Sequence, residues 1–312
     1  MTGDESVFPP NLSRLSRADW LAALKRIGEQ NGFTEPLGRA HAAVFVERGD
    51  TLLVSFESTP GIEALSETRT PLGFEMVRQH NWSSLSVLCH SDTWFRDPRV
   101  YEFFDHLLDD GFFDEFDCVL FYGAGPCGYA AGAYSVASPG ARVLLLQPQA
   151  TLDPRLTEWD DRFADQRRRD FTSRYGFAPE MLDAALRAHV VYDPREPLDA
   201  MHAALFHRPG VTRFRAPFMG GALQAEFMAL DLLPAMLKAV AEDRLDRQGF
   251  ATILRARRDH PPYLRRLLAQ LDADGRTHLA TMLCRNVVSR MHAPRFRRRL
   301  AQLEAVEDDT GT

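Results

Sequence analysis

A continuously apolar run, residues 118–122, enters the glycine-dense turn Gly123-Ala124-Gly125-Pro126-Cys127-Gly128 and leaves it through Tyr129-Ala130-Ala131. Strand, tight turn and small-residue helix is the order this pattern predicts. Two kinds of site are built on that order. One is the dinucleotide fingerprint G-x-G-x-x-G, matched by Gly123, Gly125 and Gly128. The other is the nucleophile elbow G-x-S-x-G, in which the attacking residue sits at the apex of the turn. Here the apex is Gly125.

A chain of 312 residues with 45% hydrophobic and 26% charged side chains can bury a large core and reads as an ordinary globular protein. No apolar run approaches the length of a membrane span. Met1-Thr2-Gly3-Asp4-Glu5-Ser6 has neither the basic nor the apolar part of a signal peptide, so a cytoplasmic location is expected. Cys89, Cys118, Cys127 and Cys284 lack ligand spacing, which predicts buried thiols rather than a metal site or a disulfide framework.

Along the chain, 16–30 reads as a helix capped by Ser16, within a helical arm covering 1–40. Segments 42–47 and 51–56, joined by Arg48-Gly49-Asp50, read as a β-hairpin. A strand at 84–90 and a helix at 100–108 precede the central turn. Strand 141–147 follows the small-residue helix and completes a βαβ unit. Residues 150–188 are charged and helical, a cap insertion. Strand 189–192, helix 198–205, strand 212–216 and helix 222–239 close an α/β domain spanning 41–240. From 241 to 312 the pattern is helical only, with segments at 246–258, 262–273 and 277–292 and a basic run at 295–303. The fold class expected is α/β: a mainly parallel sheet with helices on both faces and a helical C-terminal extension.

The dinucleotide reading makes Gly123, Gly125 and Gly128 the backbone cradle of a pyrophosphate, with FAD or NAD(P) as cofactor and an oxidoreductase as the function. The acid that should hold the ribose at the end of the next strand is replaced by Gln147. Outside this reading no cofactor is expected.

The wider context resembles the α/β-hydrolase fold. It is most similar to bacterial α/β-hydrolase-like proteins found among capsular and surface-polysaccharide genes, whose elbow reads roughly Tyr-Gly-Ser-Ser-Met-Gly-Gly-Tyr-Ala-Ala. The matching residues are 122–131, supported by Ser91-Asp92-Thr93-Trp94-Phe95, by Gln147-Pro148-Gln149 with Leu152-Asp153-Pro154, and by the 192–202 stretch. The likeness extends loosely over 42–238. It implies a nucleophile at 125, an acid at Asp193 or Asp199, and a histidine in the turn holding Gly220 and Gly221. Glycine stands at the nucleophile position and at both histidine positions. Pro126, which follows the apex, has no N–H for an oxyanion hole. The expectation is a catalytically degenerate hydrolase-fold protein that binds or scaffolds, linked to surface polysaccharide through the resemblance. Gly125, Asp193 and Gly221 are its degenerate positions.

Cys127, in the first helical turn, is the candidate for an unorthodox nucleophile in a hydrolase or transferase. His189 and His202 read as structural. Ser58, His90, Asp92, Gly125 and Asp193 fall near the ligand side of the sheet and are the candidate ligand contacts. No metal set is apparent.

Residues 251–300 hold twelve arginines against three aspartates, a balance of +9 in a chain of net charge −6. Arg255, Arg257, Arg258, Arg265, Arg266, Arg295 and Arg297-Arg298-Arg299 could be neutralised by the acidic body, or by Glu304, Glu307, Asp308 and Asp309. The alternative is a surface for a protein or other anionic partner. A homo-oligomer through Leu264, Leu267, Leu268 and Leu271 stays open, and no nucleic-acid motif is visible.

Overall fold

Among the described residues three successive strands open the sheet, and the five that follow are separated by helices, in the chain order that the apolar runs and their caps dictate. The computed structural model describes Phe8 and residues 11–310, with side chains through residue 305. Expectations for the first residues of the chain lie outside the described residues, and those for Glu307, Asp308 and Asp309 concern side chains outside the described ones.

The order is α1 (Arg17–Asn31), β1 (Gly32–Leu37), β2 (His41–Val46), β3 (Thr51–Ser58), α2 (Thr59–Leu65), α3 (Leu72–His80) and β4 (Ser83–Cys89). Then come α4 (Pro98–Asp109), β5 (Cys118–Ala124), α5 (Pro126–Tyr134), β6 (Arg142–Leu146), α6 (Pro154–Thr157), α7 (Ala178–Met181) and β7 (Arg187–Tyr192). The chain continues through α8 (Pro197–Leu205), β8 (Val211–Arg215), α9 (Leu223–Ala229), α10 (Leu233–Ala241) and α11 (Arg247–Ile253). It ends in α12 (Pro261–Ala273), α13 (Thr277–Arg290) and α14 (Pro294–Thr310). Ser16 caps α1 as expected, accepting from the Asp19 N–H.

The sheet runs β1-β2-β4-β3-β5-β6-β7-β8. β2 is antiparallel to both neighbours, and every pair from β4 onward is parallel. This is the α/β-hydrolase arrangement, with the elbow after the fifth strand. It differs from the all-parallel 3-2-1-4-5-6 order of dinucleotide-binding folds.

Alternation along the strands splits the core between the two faces. Ala43 and Phe45 of β2, Val54 and Phe56 of β3, and Leu85 and Val87 of β4 join one cluster; Val44, Val46 and Leu88 join the other with Trp20 and Phe74. In the first, Phe56 lies 5.7 Å from Phe104 and 5.5 Å from Tyr134, ring centre to ring centre. Burying each such ring contributes about 1.5–3 kcal/mol. On the other face the Trp20 indole donates to the Arg69 carbonyl at 2.6 Å and ties α1 down.

Four expectations are corrected. Segments 42–47 and 51–56 are adjacent in sequence but do not form a hairpin, because β4 lies between β2 and β3. Ser83, at the start of β4, accepts from the Arg48 N–H at 2.9 Å and donates to the Gly49 carbonyl at 2.8 Å, which holds that strand in the gap. The arm over 1–40 contains an edge strand, 32–37, whose polar residues and Pro36 gave no alternation to read. Helix 222–239 is two helices: Asp231 adopts a left-handed φ of 52°, and Pro234 starts α10 afresh. The region 150–188 is short helical turns rather than long helices.

The chain divides into two units, residues 1–217 with 221–254, and residues 218–220 with 255–312. The second has its own core of Leu264, Leu268, Ala280, Cys284, Val287, Phe296 and Leu303. Within it Arg285 pairs with Glu304 and Arg299 with Asp272, each at 2.9 Å, and Arg290 pairs with Asp259. No helix among the described residues is long and apolar enough to cross a membrane.

At the crossing of β5 and α5 a Cβ on Gly123 would lie 2.1 Å from the Cys127 carbonyl oxygen, a backbone atom that cannot give way. Gly123→Ala should therefore cost about 3 kcal/mol or more in urea denaturation. Gly132→Ala, whose methyl would meet the movable Leu145 side chain at 3.1 Å, should cost clearly less.

Candidate active-site region

The elbow has its backbone shape, with glycine at the apex where the resemblance implies a nucleophile. Gly125 takes φ 55° and ψ −126°, a conformation hostile to side chains, between β5 and α5. Its N–H donates to the Leu146 carbonyl at 2.8 Å, and its own carbonyl accepts from Tyr129 at 2.9 Å, so both neighbours fix the turn. A Cβ here would meet only Gln149 Oε1, at 4.0 Å. That oxygen is buried and has no partner among the described residues. The space for a nucleophile is thus kept, facing a bare acceptor. Pro126 opens α5 where an oxyanion donor would stand.

The other triad positions are likewise filled differently. Asp193, after β7, is buried, and its Oδ1 accepts from the Arg195 N–H at 2.9 Å. Asp199, the alternative acid, accepts from Gln147 Nε2 and from Arg162 Nη1, each at 2.7 Å. A side chain at Gly221 would come within 3.7 Å of the Glu196 carboxylate. At Gly220 it would meet the Arg266 guanidinium at 2.9 Å, in the second unit. Arg266 donates to the Phe218 and Met219 carbonyls at 3.3 and 2.8 Å. One arginine of the basic extension is therefore spent on the 218–220 loop.

A cleft of about 650 Å³ opens beside the elbow. Of the sequence candidates it brings together Ser58, Asp92 and Cys127, with Ala124 and Pro126 of the turn. Gly125, His90 and Asp193 are not among its lining residues. Ser58 caps α2 by accepting from Gly61 N–H at 3.1 Å. His90 is held by Thr59 Oγ1 at 2.8 Å, and burial, then Arg17, lowers its pKa. The neighbouring Cys89 thiol, and then burial, pushes the Cys127 thiol well above the usual range and keeps it protonated. Gln147 spends both ends of its amide, one on Asp199 and one accepting from the Leu223 N–H at 2.6 Å.

Two further groups stand in arrangements that the sequence did not show. Glu57, next to last in β3, lines the cleft and is buried. Its Oε1 accepts from Ser55 Oγ at 2.8 Å, and both oxygens take the Leu72 N–H at 3.1 Å. Burial outweighs these bonds and raises its pKa to about 7. The second is a His–Asp pair: His202 Nε2 donates to Asp160 Oδ2 at 2.9 Å, while Nδ1 accepts from the Ala150 N–H at 3.1 Å. Burial lowers the His202 pKa. Burial opposes the Asp160 charge, but hydrogen bonds from Arg162 and then His202 hold its carboxyl below the usual range. Both side chains are fully buried, and each His202 ring nitrogen is already bonded, so the pair packs the fold without a hydroxyl or thiol to activate. His189 is stacked on Phe214, 5.5 Å between ring centres. Among the described residues no group of three His, Cys, Asp or Glu is placed to hold a metal ion.

A scan against protein-family models finds no match, and a search of curated proteins finds none. Solved structures share the architecture at low identity. The capsule O-acetyltransferase of Neisseria meningitidis serogroup A is 10% identical, with 69% of this chain and 99% of that one aligned at a TM-score of 0.46. The carboxylesterase EstE1, from a metagenomic library, is 16% identical over 75% and 99%, at 0.44. The esterase of Pyrobaculum calidifontis is 13% identical over 75% and 94%, at 0.44. The fold assignment itself rests on the strand order and the elbow.

Glu57 has a checkable consequence for stability. In the folded chain it keeps its proton up to about pH 7, whereas the ordinary value is 4.5. The stability it contributes is complete below the ordinary value and is lost as pH rises through the folded one, a change on the order of 3 kcal/mol. Urea midpoints at pH 5 and pH 8 should show wild type losing stability relative to Glu57→Gln, which carries no charge to bury.

Proposed function

We propose that this chain is a hydrolase-fold binding protein whose triad has been dismantled, and that its ligand occupies the cleft beside the elbow. The observation that carries the reading is Gly125, held at φ 55° and ψ −126° with an open space before it and Pro126 behind it. Acyl transfer needs an attacking atom, a base and an anion-stabilising donor. This turn keeps the backbone shape of such a site and offers none of the three. The cleft wall supports binding: apolar Phe56, Ile62 and Leu72 with aromatic Trp94 and Phe95, and polar Ser58, Thr70 and Gln224.

The lining also carries Glu67, Asp92 and Asp231, with Glu57 protonated up to about pH 7 and Glu75 paired with Arg78, and no lysine, arginine or histidine. Such a wall favours a neutral or cationic ligand and repels an anionic one. A neutral or amino sugar fits that description, and the likeness of the elbow to surface-polysaccharide proteins points to the same class. The oxidoreductase and Cys127 alternatives have less support, since Gln147 is engaged at both ends and the Cys127 thiol is kept protonated.

Two measurements test the reading. Neither wild type nor Gly125→Ser should turn over p-nitrophenyl acetate or butyrate above buffer, because a restored hydroxyl still lacks its base and its donor. Turnover by wild type that disappears in Cys127→Ala would sink the proposal. In thermal-shift titrations glucosamine and glucose should raise the melting temperature more than glucuronate does. Ala225→Trp, which fills the cleft from α9, should abolish the shift; equal stabilisation by glucuronate would refute the charge argument.

A further inference from the structure

β8 is the last strand of the sheet, so its outer edge is unpaired among the described residues. A cleft of about 730 Å³ follows that edge, separate in its lining from the one beside the elbow. Successive residues of a strand point to opposite faces, so Thr212 belongs to one side of β8, and Arg213 and Arg215 to the other. All three line the cleft, which therefore wraps around the strand.

Its charge is one-sided. Arg187, Arg208, Arg213, Arg215, Arg244 and Arg247 line it, opposed by Asp243 and Asp246 alone. Some of these guanidinium groups are neutralised, since Arg208 pairs with Asp183 and Arg244 with Glu242. Arg187 has only a loose pair with Asp243, at 3.7 Å. Asp246 is already committed, accepting from the Gly249 N–H at 2.6 Å to cap α11. Arg213 reaches no carboxylate: its contacts are the Ala203 carbonyl at 3.4 Å and His207 Nδ1 at 3.5 Å. Arg215 and Arg247 are exposed and have no partner among the described residues. On the cleft wall His189 is buried with its Nδ1 unpartnered.

Three arginines without counter-charges, on a rigid strand and the start of an adjoining helix, are costly through mutual repulsion unless an anion is shared between them. A guanidinium fork matches the oxygens of a phosphate in pairs, and a single monoanion would leave most of the charge unmet. We propose that the β8-edge cleft binds a small ligand bearing linked phosphate groups, a diphosphate or its ester. The site is independent of the elbow cleft and of any function proposed there.

Isothermal titration of the full chain with inorganic pyrophosphate at low ionic strength tests this. Saturable binding is expected, weakened at least tenfold in Arg215→Gln/Arg247→Gln. Arg285→Gln, which removes a charge paired with Glu304 in the second unit, should leave it unchanged. Both arginines of the double variant are exposed, so its melting temperature should match that of wild type and report an intact fold. An ADP arm identifies the source of the phosphates: tighter binding than pyrophosphate assigns a nucleotide, and equal binding assigns the phosphates alone. No saturable binding of either probe, or equal loss in Arg285→Gln, would overturn the proposal.

Discussion

The close crossing of β5 and α5 sets the geometry of everything near the elbow. Gly123 brings the strand backbone to the carbonyl of Cys127, nearer than any side chain allows. Gly125 then reverses the chain at a positive φ, and Pro126 starts the helix with the φ it already prefers. The small residues of α5 let the helix lie against β5, β3 and β6. Without that approach the turn could not project above the carboxyl ends of the strands. In an acyl-transfer enzyme the same turn strains a serine; a glycine at the apex relieves that strain while the surrounding hydrogen bonds preserve the shape.

Strain persists elsewhere on that side of the sheet. Trp94 and Phe95 after β4, and Gln147 after β6, all have positive φ although none is glycine. Such residues cost on the order of 1–3 kcal/mol each and need support from their surroundings. The Phe95 N–H donates to Thr93 Oγ1 at 3.2 Å, and the Tyr134 hydroxyl donates to the Phe95 carbonyl. Gln147 is clamped by Asp199 and by the start of α9. Binding sites are commonly where such cost is retained, and these residues frame the region beside the elbow.

Charge is sorted between surfaces rather than spread evenly. The elbow cleft carries acidic side chains and no lysine, arginine or histidine, the β8 edge carries guanidinium groups in excess, and the second unit pairs several of its arginines internally. The net charge of −6 therefore describes no single surface. Arg266, one member of the basic run, serves the loop at 218–220 instead of solvent.

The sequence by itself determined the class of fold, the elbow and what the elbow lacks, because each is local. Apolar runs mark the strands, small residues mark the close helix, and Gly125 with Pro126 excludes a hydroxyl and a donor wherever the turn is placed. It could not determine strand order: β2 and β3 look like a hairpin until β4 is set between them by Ser83. Nor did it reveal Glu57, an ordinary strand-end acid until α3 and the sheet bury it, or the orphan oxygen of Gln149 before Gly125. The unmatched arginines of the β8 edge are spread over 213–247, among residues of both signs. Burial and pairing across long separations depend on which surfaces come into contact, and only the tertiary structure decides that.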